Sequence, residues 1–298
     1  MDLVVQFNKS SNSTSHDAVT AVKKLFKVRK AGHAGTLDPL ATGVLLICLN
    51  EATKITGYLS DLDKEYMVTA KLGESTDTYD TEGTITRRAE AARTVTRNEV
   101  EITLSRFTGE IEQTPPMFSA IKMNGKPLYE LARQGIEVDR KSRVVIVRSI
   151  EIMEFKMPYL RLRVSCTKGT YIRSLCNDIG DALGVGAHVT ELARTRIGDF
   201  SLENAAAIDE LPQKTEALHT IDGALKHMEE IFLNSDGYRL ARNGNPVPIV
   251  DAENRRAGEM KGSRSAFVRL KNPEGRIFGI GKVGGTAIKI ERLFNIRL

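Results

Sequence analysis

The chain has 298 residues, of which 41% are hydrophobic and 27% are charged, and its formal net charge is +5. These proportions are ordinary for a globular protein that folds in water, and no apolar run approaches the roughly 20 residues that span a bilayer, so a membrane protein is not expected. The length favours one large core with a smaller module, or two comparable domains.

Two short segments concentrate the positive charge. Residues 23–30 contain five basic residues and residues 140–148 contain four, and the pI of the whole chain is near 9.0. Such patches are expected of a protein that binds nucleic acid, but the group at 23–30 is also explained by the solvated face of a helix. Charge alone therefore leaves nucleic-acid binding open.

The start of the chain bears on where the protein is located, and its cysteines and histidines bear on whether it binds a metal. Residues 1–7 lack the basic segment and long apolar stretch of a secretory signal, so a cytoplasmic location is expected. Cys48, Cys166 and Cys176 show no CxxC spacing, which predicts neither a disulfide framework nor a zinc site. The five histidines are scattered without an HxxxH pair. We therefore expect no metal.

The first predicted elements are a helix, a loop and a strand. Residues 14–17 place an acidic residue three positions after a hydroxyl, the pattern of a capping box, and apolar residues at helical spacing follow with lysines between them. A loop punctuated by glycines is predicted at 32–43. The unbroken apolar run at 44–49 predicts a buried strand.

The middle of the chain predicts a sheet and a second helix. Alternating patterns at 65–72, 144–155 and 160–166 are typical of strands. Apolar residues at helical spacing end before Gly184, which predicts a helix that begins just after Tyr171. The core is therefore predicted to mix α and β structure.

Two regions differ from this pattern. The segment 109–143 is rich in proline and glycine, is long for a connector and contains one short helical pattern at 129–133, and such connectors are often functional. Beyond about residue 213, short strand-like runs alternate with turn residues. We predict a larger domain at 1–212 and a small β-rich module at 230–298.

Asp38 is the strongest candidate for a catalytic residue. It precedes Pro39, which favours an extended backbone, and it lies between glycines just before a rigid strand. Asp-Pro also initiates turns, so spacing alone does not decide between an Asx turn and a catalytic role. A carboxylate can act as a nucleophile when a cation keeps it ionised, and Arg173 is a candidate for that cation.

Tyr66, Tyr171 and His33 are the other candidates. A tyrosine offers a flat face for stacking on a base and a phenol for proton transfer, although an isolated tyrosine more commonly packs in the core. His33 is either an exposed loop histidine or a side chain that fills the space left by a base flipped out of RNA.

Six strings of the sequence carry a family resemblance. They are GHAGTLDPLATG (32–43), EATK (51–54), DKEY (63–66), TDTYD (76–80), QTPPMFSA (113–120) and KGTYIR (168–173). In this order they resemble the TruB family of bacterial tRNA pseudouridine-55 synthases over nearly the whole chain. The first string is long and highly specific.

The resemblance implies a fold and a reaction. The fold would be α+β, a pseudouridine-synthase fold with a mixed, mostly antiparallel sheet and flanking helices, followed by a small C-terminal PUA-like RNA-binding barrel. The reaction would convert uridine 55 in the T-loop of transfer RNA to pseudouridine, with the base flipped out and without a cofactor. The segment 109–143 would be the mobile element that closes over RNA. We expect a monomer, because RNA rather than a second subunit should cover the basic face.

The resemblance also implies roles for individual residues. Asp38 would be the catalytic nucleophile, Arg173 its salt-bridge partner and Tyr66 the tyrosine against the target base. The other implied site residues surround the substrate: Tyr171 and Leu192 as pocket walls, Asp80 as pocket support, His33 as the histidine that enters the T-loop, and Lys9 and Lys64 as substrate-binding residues. Asp38 would attack C6 of the base or C1′ of the sugar, or assist formation of a glycal.

Two regions depart from the family pattern. Residues 10–13 replace the turn that usually follows the family lysine, so this loop is expected to be looser or reshaped, and residues 251–265 match poorly. Two other functions stay open. One is a noncatalytic RNA-binding or tRNA-folding factor on the same scaffold, and the other is a nucleoside hydrolase, which would need a second acid near Asp38.

Overall fold

The computed structural model describes residues 1–89, 94–119, 121–123, 125–251 and 267–295. Ala120, the last residue of one motif, and most of the poorly matching segment at 251–265 therefore lie outside the described residues. None of the described helices is long and apolar enough to cross a membrane.

The elements are numbered in chain order. The first half contains β1 (Leu3–Lys9), α1 (Ser15–Leu25), β2 (Ala31–Ala34), β3 (Thr42–Leu49), α2 (Thr56–Ser60), β4 (Lys64–Leu72), β5 (Glu74–Thr76), β6 (Ile85–Arg88), α3 (Arg97–Ser105), β7 (Gly109–Gln113), β8 (Lys122–Met123), β9 (Lys126–Pro127) and α4 (Leu128–Arg133). The second half contains β10 (Arg143–Lys156), β11 (Tyr159–Cys166), α5 (Ile172–Ala182), β12 (Ala187–Ile197), β13 (Phe200–Ser201), β14 (Leu218–Thr220), α6 (Ile221–Ala224), β15 (Glu230–Phe232), α7 (Ser235–Arg242), β16 (Val247–Pro248), β17 (Phe267–Lys271), β18 (Ile277–Gly284) and β19 (Ala287–Leu293).

A ten-stranded sheet forms the larger part of the molecule. Its order is β14-β1-β3-β12-β4-β11-β10-β7, with β2 beside β3 and β13 beside β12. Its pairs are antiparallel except β3 with β12, which is parallel. Helix α1 contacts β2 and β3, and α5 contacts β12. This confirms the predicted α+β fold with a mixed, mostly antiparallel sheet and flanking helices.

The strongest sequence patterns correspond to observed elements. The capping box before α1 is formed, with the Thr14 hydroxyl accepting from the Asp17 N–H and the Asp17 carboxylate accepting from the Thr14 N–H. Strands β3, β4, β10 and β11 occupy the predicted positions, and α5 begins at Ile172 as expected. These elements have clear periodicity or local capping, so they could be predicted without tertiary information.

Three features differ from the predictions. The predicted loop at 32–43 is wrong at its start, because Ala31–Ala34 forms β2 and pairs with β3. The segment 109–143 is not wholly a connector, since its first five residues are the edge strand β7, paired with β10. The strand β12, which lies at the centre of the sheet, was not predicted. Its sequence mixes charged and apolar residues on both faces, which hides the alternation.

The parallel pair of β3 and β12 requires a glycine. Gly43 lies opposite Arg194 in the register, has φ of +102°, and a Cβ built on it would lie 2.3 Å from the Arg194 carbonyl oxygen. A side chain here would collide with backbone, so the close approach of the two strands depends on this glycine.

A second sheet forms the C-terminal part, in the order β15-β17-β18-β19-β16. It packs on the first part, because Ile280 and Phe294 share a buried cluster with Val4 and Leu46. The larger sheet extends to β14, beyond the residue 212 at which the catalytic domain was predicted to end. The domain division at 1–212 and 230–298 stays a prediction.

Candidate active site

A cleft of about 700 Å³ opens over the centre of the larger sheet. The residues that line it come from the start of α1, the loop after β2, strands β4 and β12, the segment 109–143 and the start of α5. Eight of the nine predicted site residues line the cleft: Asp38, Tyr66, Arg173, Tyr171, His33, Leu192, Asp80 and Lys64. Fold topology thus brings together residues that are up to 159 positions apart.

Asp38 and Arg173 form a bidentate ion pair in this cleft. Arg173 Nε donates to Asp38 Oδ2 at 2.8 Å, and Arg173 Nη2 donates to Asp38 Oδ1 at 3.0 Å. The Arg173 side chain is 4% exposed and that of Asp38 is 30% exposed, so the carboxylate faces the cleft. Asp38 therefore does not cap its own turn, and both of its carboxylate oxygens accept from Arg173.

The rest of the Arg173 guanidinium is held by the protein. It donates to the carbonyl oxygens of Thr78 at 2.9 Å and Phe118 at 2.8 Å, and its Nη1 lies 3.2 Å from Asp80 Oδ2. Asp80 is itself buried and accepts from the Thr78 hydroxyl at 2.6 Å. Asp80 thus supports the cation that binds Asp38. Because it is buried against Arg173, it is not the free second acid that a nucleoside hydrolase would need.

The start of α5 is positioned by the segment 109–143. The buried amide of Gln113 accepts from the Tyr171 N–H at 2.7 Å and donates to the Tyr171 carbonyl at 3.0 Å. Ser174 Oγ donates to the Thr114 carbonyl at 3.1 Å. With an arginine in its first turn, α5 has an unfavourable charge for its dipole. The two carboxylates on Arg173 compensate for it.

One face of the sheet forms the floor of the cleft. Tyr66 on β4 lies opposite Arg194 on β12, and Val68 lies opposite Leu192, so these side chains share a face. Tyr66 is buried, and this burial raises its pKa, whereas the nearby charge of Arg194 acts in the opposite direction. The Tyr66 phenol is therefore neutral near pH 7.

Arg194 anchors the loop that carries Asp38. Arg194 is 1% exposed, and its guanidinium donates to the carbonyls of Val44 at 2.8 Å, Gly35 at 3.0 Å and Thr36 at 3.4 Å. These carbonyls lie on both sides of Asp38 in the chain. Sequence reasoning missed Arg194, although an arginine two residues after Leu192 on the same strand face is a signal for a buried guanidinium.

Lys9 has a different role from the predicted one. Lys9 is fully buried, and its ammonium donates to the carbonyls of Ser10 at 2.9 Å, Ser13 at 2.7 Å and Pro39 at 3.3 Å. Burial lowers its pKa to about 8, against the opposing charge of Asp38. Lys9 therefore closes the atypical loop at 10–13 and holds it to the Asp38 loop. It does not line the cleft, and we do not assign it to the substrate.

Lys64 lines the cleft but is also bound to carbonyls. Its ammonium donates to Leu62 O at 2.6 Å and to Ser60 O at 2.5 Å. Burial, and then the charge of Arg194, lower its pKa to about 8.

His33 lies on strand β2, opposite Ile47, rather than in a loop. Its Nδ1 is buried without a hydrogen-bond partner among the described residues. Burial lowers the pKa of His33, and the charges of Arg194 and His16 lower it further. The imidazole is thus uncharged near pH 7 and faces the cleft.

We expect Arg194→Met to destabilise the protein by about 1–3 kcal/mol, mainly because the buried carbonyl of Val44 loses a donor, while the less buried carbonyls of Gly35 and Thr36 lose theirs at a smaller cost. The stability of Arg194→Lys should lie between those of wild type and Arg194→Met, since one ammonium cannot reach all three carbonyls. The free energy of urea unfolding measures this. Arg163→Gln is the matched control, because that guanidinium is exposed and pairs with Glu151. Equal stability of Arg194→Met and the control would contradict the anchoring role.

Two family models match consecutive parts of the chain. The model of the TruB family pseudouridylate synthase N-terminal domain matches residues 23–172, and that of the tRNA pseudouridylate synthase B C-terminal domain matches residues 173–232. The chain belongs to the TruB family. The family matches thus contain the Asp38 loop, Tyr66 and the start of α5.

Individual TruB relatives and solved structures agree with this placement. The chain is 44% identical to tRNA pseudouridine synthase B of Clostridium tetani over 82% of this chain and 85% of that protein. It is 41% identical to that of Haemophilus influenzae (strain PittEE) over 98% and 95%. A chain in the crystal structure of a Cbf5-Nop10-Gar1 complex has a TM-score of 0.74 at 26% identity and covers 98% of this chain and 84% of its own. That structural match extends over the C-terminal sheet and agrees with a PUA-like fold there.

Proposed function

We propose that this protein isomerises uridine 55 in the T-loop of transfer RNA to pseudouridine, with Asp38 as the nucleophile. The observation that carries this proposal is the bidentate pair of Asp38 and Arg173, which faces a cleft beside Tyr66. The names of the TruB relatives, tRNA pseudouridine synthase B, supply the reaction and the RNA class.

The reaction rearranges one nucleotide and needs no net addition. The N1–C1′ bond breaks, the uracil rotates, a C5–C1′ bond forms, the C5 proton leaves and N1 gains a proton. Attack on C6, attack on C1′ and a glycal route all require an ionised carboxylate held at the nucleotide. Arg173 provides this, because it orients both oxygens of Asp38 and carries the compensating charge.

The cleft suits a nucleotide that has been flipped out of the base stack of the RNA. Its volume of about 700 Å³ lies in the usual range of ligand pockets, roughly 300–1,000 Å³. Tyr66 and Leu192 form an apolar floor, and Tyr171 forms a wall, on which a flipped uracil can pack. We assign His33 and Lys64 to contacts with the RNA around the target. We further propose that the protein acts as a monomer in the cytoplasm.

The segment 109–143 is proposed to close over bound RNA. Tyr129 and Arg133 of α4 line the cleft, which places this part of the segment beside the substrate. Its first residues, up to Phe118, are tied to α5 through Gln113 and Arg173. Closure would therefore move the part beyond Phe118 and leave the start of the segment in place.

The test is release of tritium from transfer RNA labelled at C5 of uridine. We expect one tritium per RNA and a pseudouridine at position 55, mapped by carbodiimide adducts that stop reverse transcription. A transcript with cytidine at position 55 is the control and should release nothing. Binding of the RNA without release would instead favour the noncatalytic RNA-binding factor, and release from the control would overturn the assignment to position 55.

A further inference from the structure

A turn of concentrated positive charge joins helix α1 to strand β2. Five of the eight residues at 23–30 are basic, and no acidic residue occurs between Asp17 and Asp38. All five basic side chains are exposed, and none of them has a hydrogen bond or an ion pair with a described residue. We call this surface the basic turn, and its residues are Lys23, Lys24, Lys27, Arg29 and Lys30.

The helix dipole explains only part of this charge. Lys23 and Lys24 lie in the last turn of α1, where cations are favourable. The other three residues of the basic turn follow the end of the helix, so the dipole gives no reason for them. The carboxylate of Glu51, in the turn that is hydrogen-bonded to Lys30, binds the Lys54 ammonium at 2.7 Å instead. The basic turn therefore keeps an unbalanced positive charge.

The backbone at Lys27 is unfavourable for a lysine. Lys27 has φ of +49°, its N–H donates to Lys24 O, and the N–H of Val28 donates to Lys23 O, both at 3.2 Å. This is the helix-ending motif whose left-handed residue is usually glycine, because glycine has no Cβ to strain. Strained residues concentrate at functional positions, so Lys27 points to a role for its ammonium.

Both elements that flank the basic turn reach the cleft. Ser15, at the start of α1, lines the cleft, and the eight residues of helix from there to Lys23 span roughly 12 Å. His33 on β2 also lines the cleft, and the three residues from there back to Lys30 span roughly 10 Å. A polyanion bound in the cleft therefore needs to extend only about 10–12 Å to meet the basic turn.

We propose that the basic turn binds backbone phosphates of the RNA stem next to the loop that contains the target uridine. The target nucleotide occupies the cleft, so the RNA that continues from it is the polyanion within reach. Exposed lysines suit phosphates, because they bind them as flexible point charges without reading sequence. This inference rests on the proposed function, because it takes the substrate RNA as the partner.

The first experiment uses Lys27→Gly, whose effects on folding and on binding have opposite signs. Glycine relieves the left-handed backbone, so the melting temperature should rise by roughly 2–4 °C. Loss of the ammonium should weaken RNA binding and lower the slope of log Kd against log salt by about 0.7–0.9. Lys27→Arg keeps the charge, so it should keep the slope.

The second experiment removes two charges and compares Arg29→Gln/Lys30→Gln with the control Arg161→Gln/Arg163→Gln. The control arginines are on β11, in the sheet face that points away from Tyr66. We expect Arg29→Gln/Lys30→Gln to raise the KM for tritium release roughly 3–30-fold, as for loss of two exposed charge pairs. Its salt slope should fall by about 1.4–1.8. The control should keep both the KM and the slope.

The third experiment locates the contact on the RNA. One T-arm hairpin carries neutral methylphosphonate linkages in its stem, and a second carries them only in its loop. Wild type should bind the stem-modified RNA more weakly than unmodified RNA, and Arg29→Gln/Lys30→Gln should lose less from that modification. Neutral loop linkages should weaken both proteins equally.

The outcomes distinguish this inference from the proposed function. If wild type releases tritium while Lys27→Gly and Arg29→Gln/Lys30→Gln keep the wild-type salt slope, the basic turn does not bind the substrate and the function stands. Equal losses from the stem linkages in wild type and in the double variant would also overturn the contact. If wild type neither binds RNA nor releases tritium, both the function and the contact fail.

Discussion

Replacing Asp38 by asparagine is expected to lower the rate of pseudouridine formation by roughly 10⁴-fold or more, the scale seen when a catalytic nucleophile is removed. The amide keeps the shape of the carboxylate but has no charge with which to attack the nucleotide. It also turns an N–H donor toward Arg173, which donates to both Asp38 oxygens. The loss should therefore appear in the chemical step under single-turnover conditions.

Binding separates this effect from loss of the RNA site. The Kd of Asp38→Asn for transfer RNA should stay within about threefold of wild type, because backbone contacts dominate such affinities. Asp236→Asn is a suitable control, since that aspartate is 75% exposed on α7 and pairs with Arg239. An Asp38→Asn enzyme that forms pseudouridine at an undiminished rate would remove Asp38 from the mechanism.

Arg173→Met is expected to cost about 3–5 kcal/mol of unfolding free energy as well as nearly all activity, because it breaks a buried ion pair and leaves charge behind. Asp80 is 4% exposed and would lose its cation. Asp38 would lose both of its bonds, so its orientation and its charge balance would change together. Urea unfolding and single-turnover tritium release measure the two losses.

A double variant distinguishes the structural role of Arg173 from its catalytic role. Adding Asp80→Asn to Arg173→Met removes the uncompensated buried carboxylate, so part of the stability should return. Activity should not return, because Asp38 still has no partner. Recovery of activity with stability would mean that Arg173 acts through folding alone, and unchanged stability of Arg173→Met would contradict the buried pair.

The residues of the candidate site that could be predicted are those that belong to short sequence motifs. One string contains Asp38 and another contains Arg173. These two residues form an ion pair in the fold, although 135 positions separate them in the chain. Composition and spacing do not contain that contact, and from them alone an Asx turn is the commoner role for Asp38. The resemblance to the TruB family implied that Asp38 pairs with Arg173, and the structure gives the distance and orientation of that pair.

Other parts of the site have no local signal. Gln113 supports Tyr171 through a reciprocal pair of hydrogen bonds, and nothing in its neighbourhood along the chain indicates this. Lys9 was assigned to the substrate from its position in the sequence, but its ammonium is surrounded by carbonyls of two loops. The number of donors and acceptors around a side chain depends on residues distant in sequence, so it can be read only from the fold.

Periodicity, helix caps and one short specific string were enough to predict the capped helix α1, the strands β3, β4, β10 and β11, the helix α5 and Asp38 as a candidate residue. Only the folded structure shows that β12 runs between β3 and β4 and that Arg194 holds the Asp38 loop. The reason is that pairing and burial are set by many segments at once. A charged side chain acquires its role from the groups that surround it after folding.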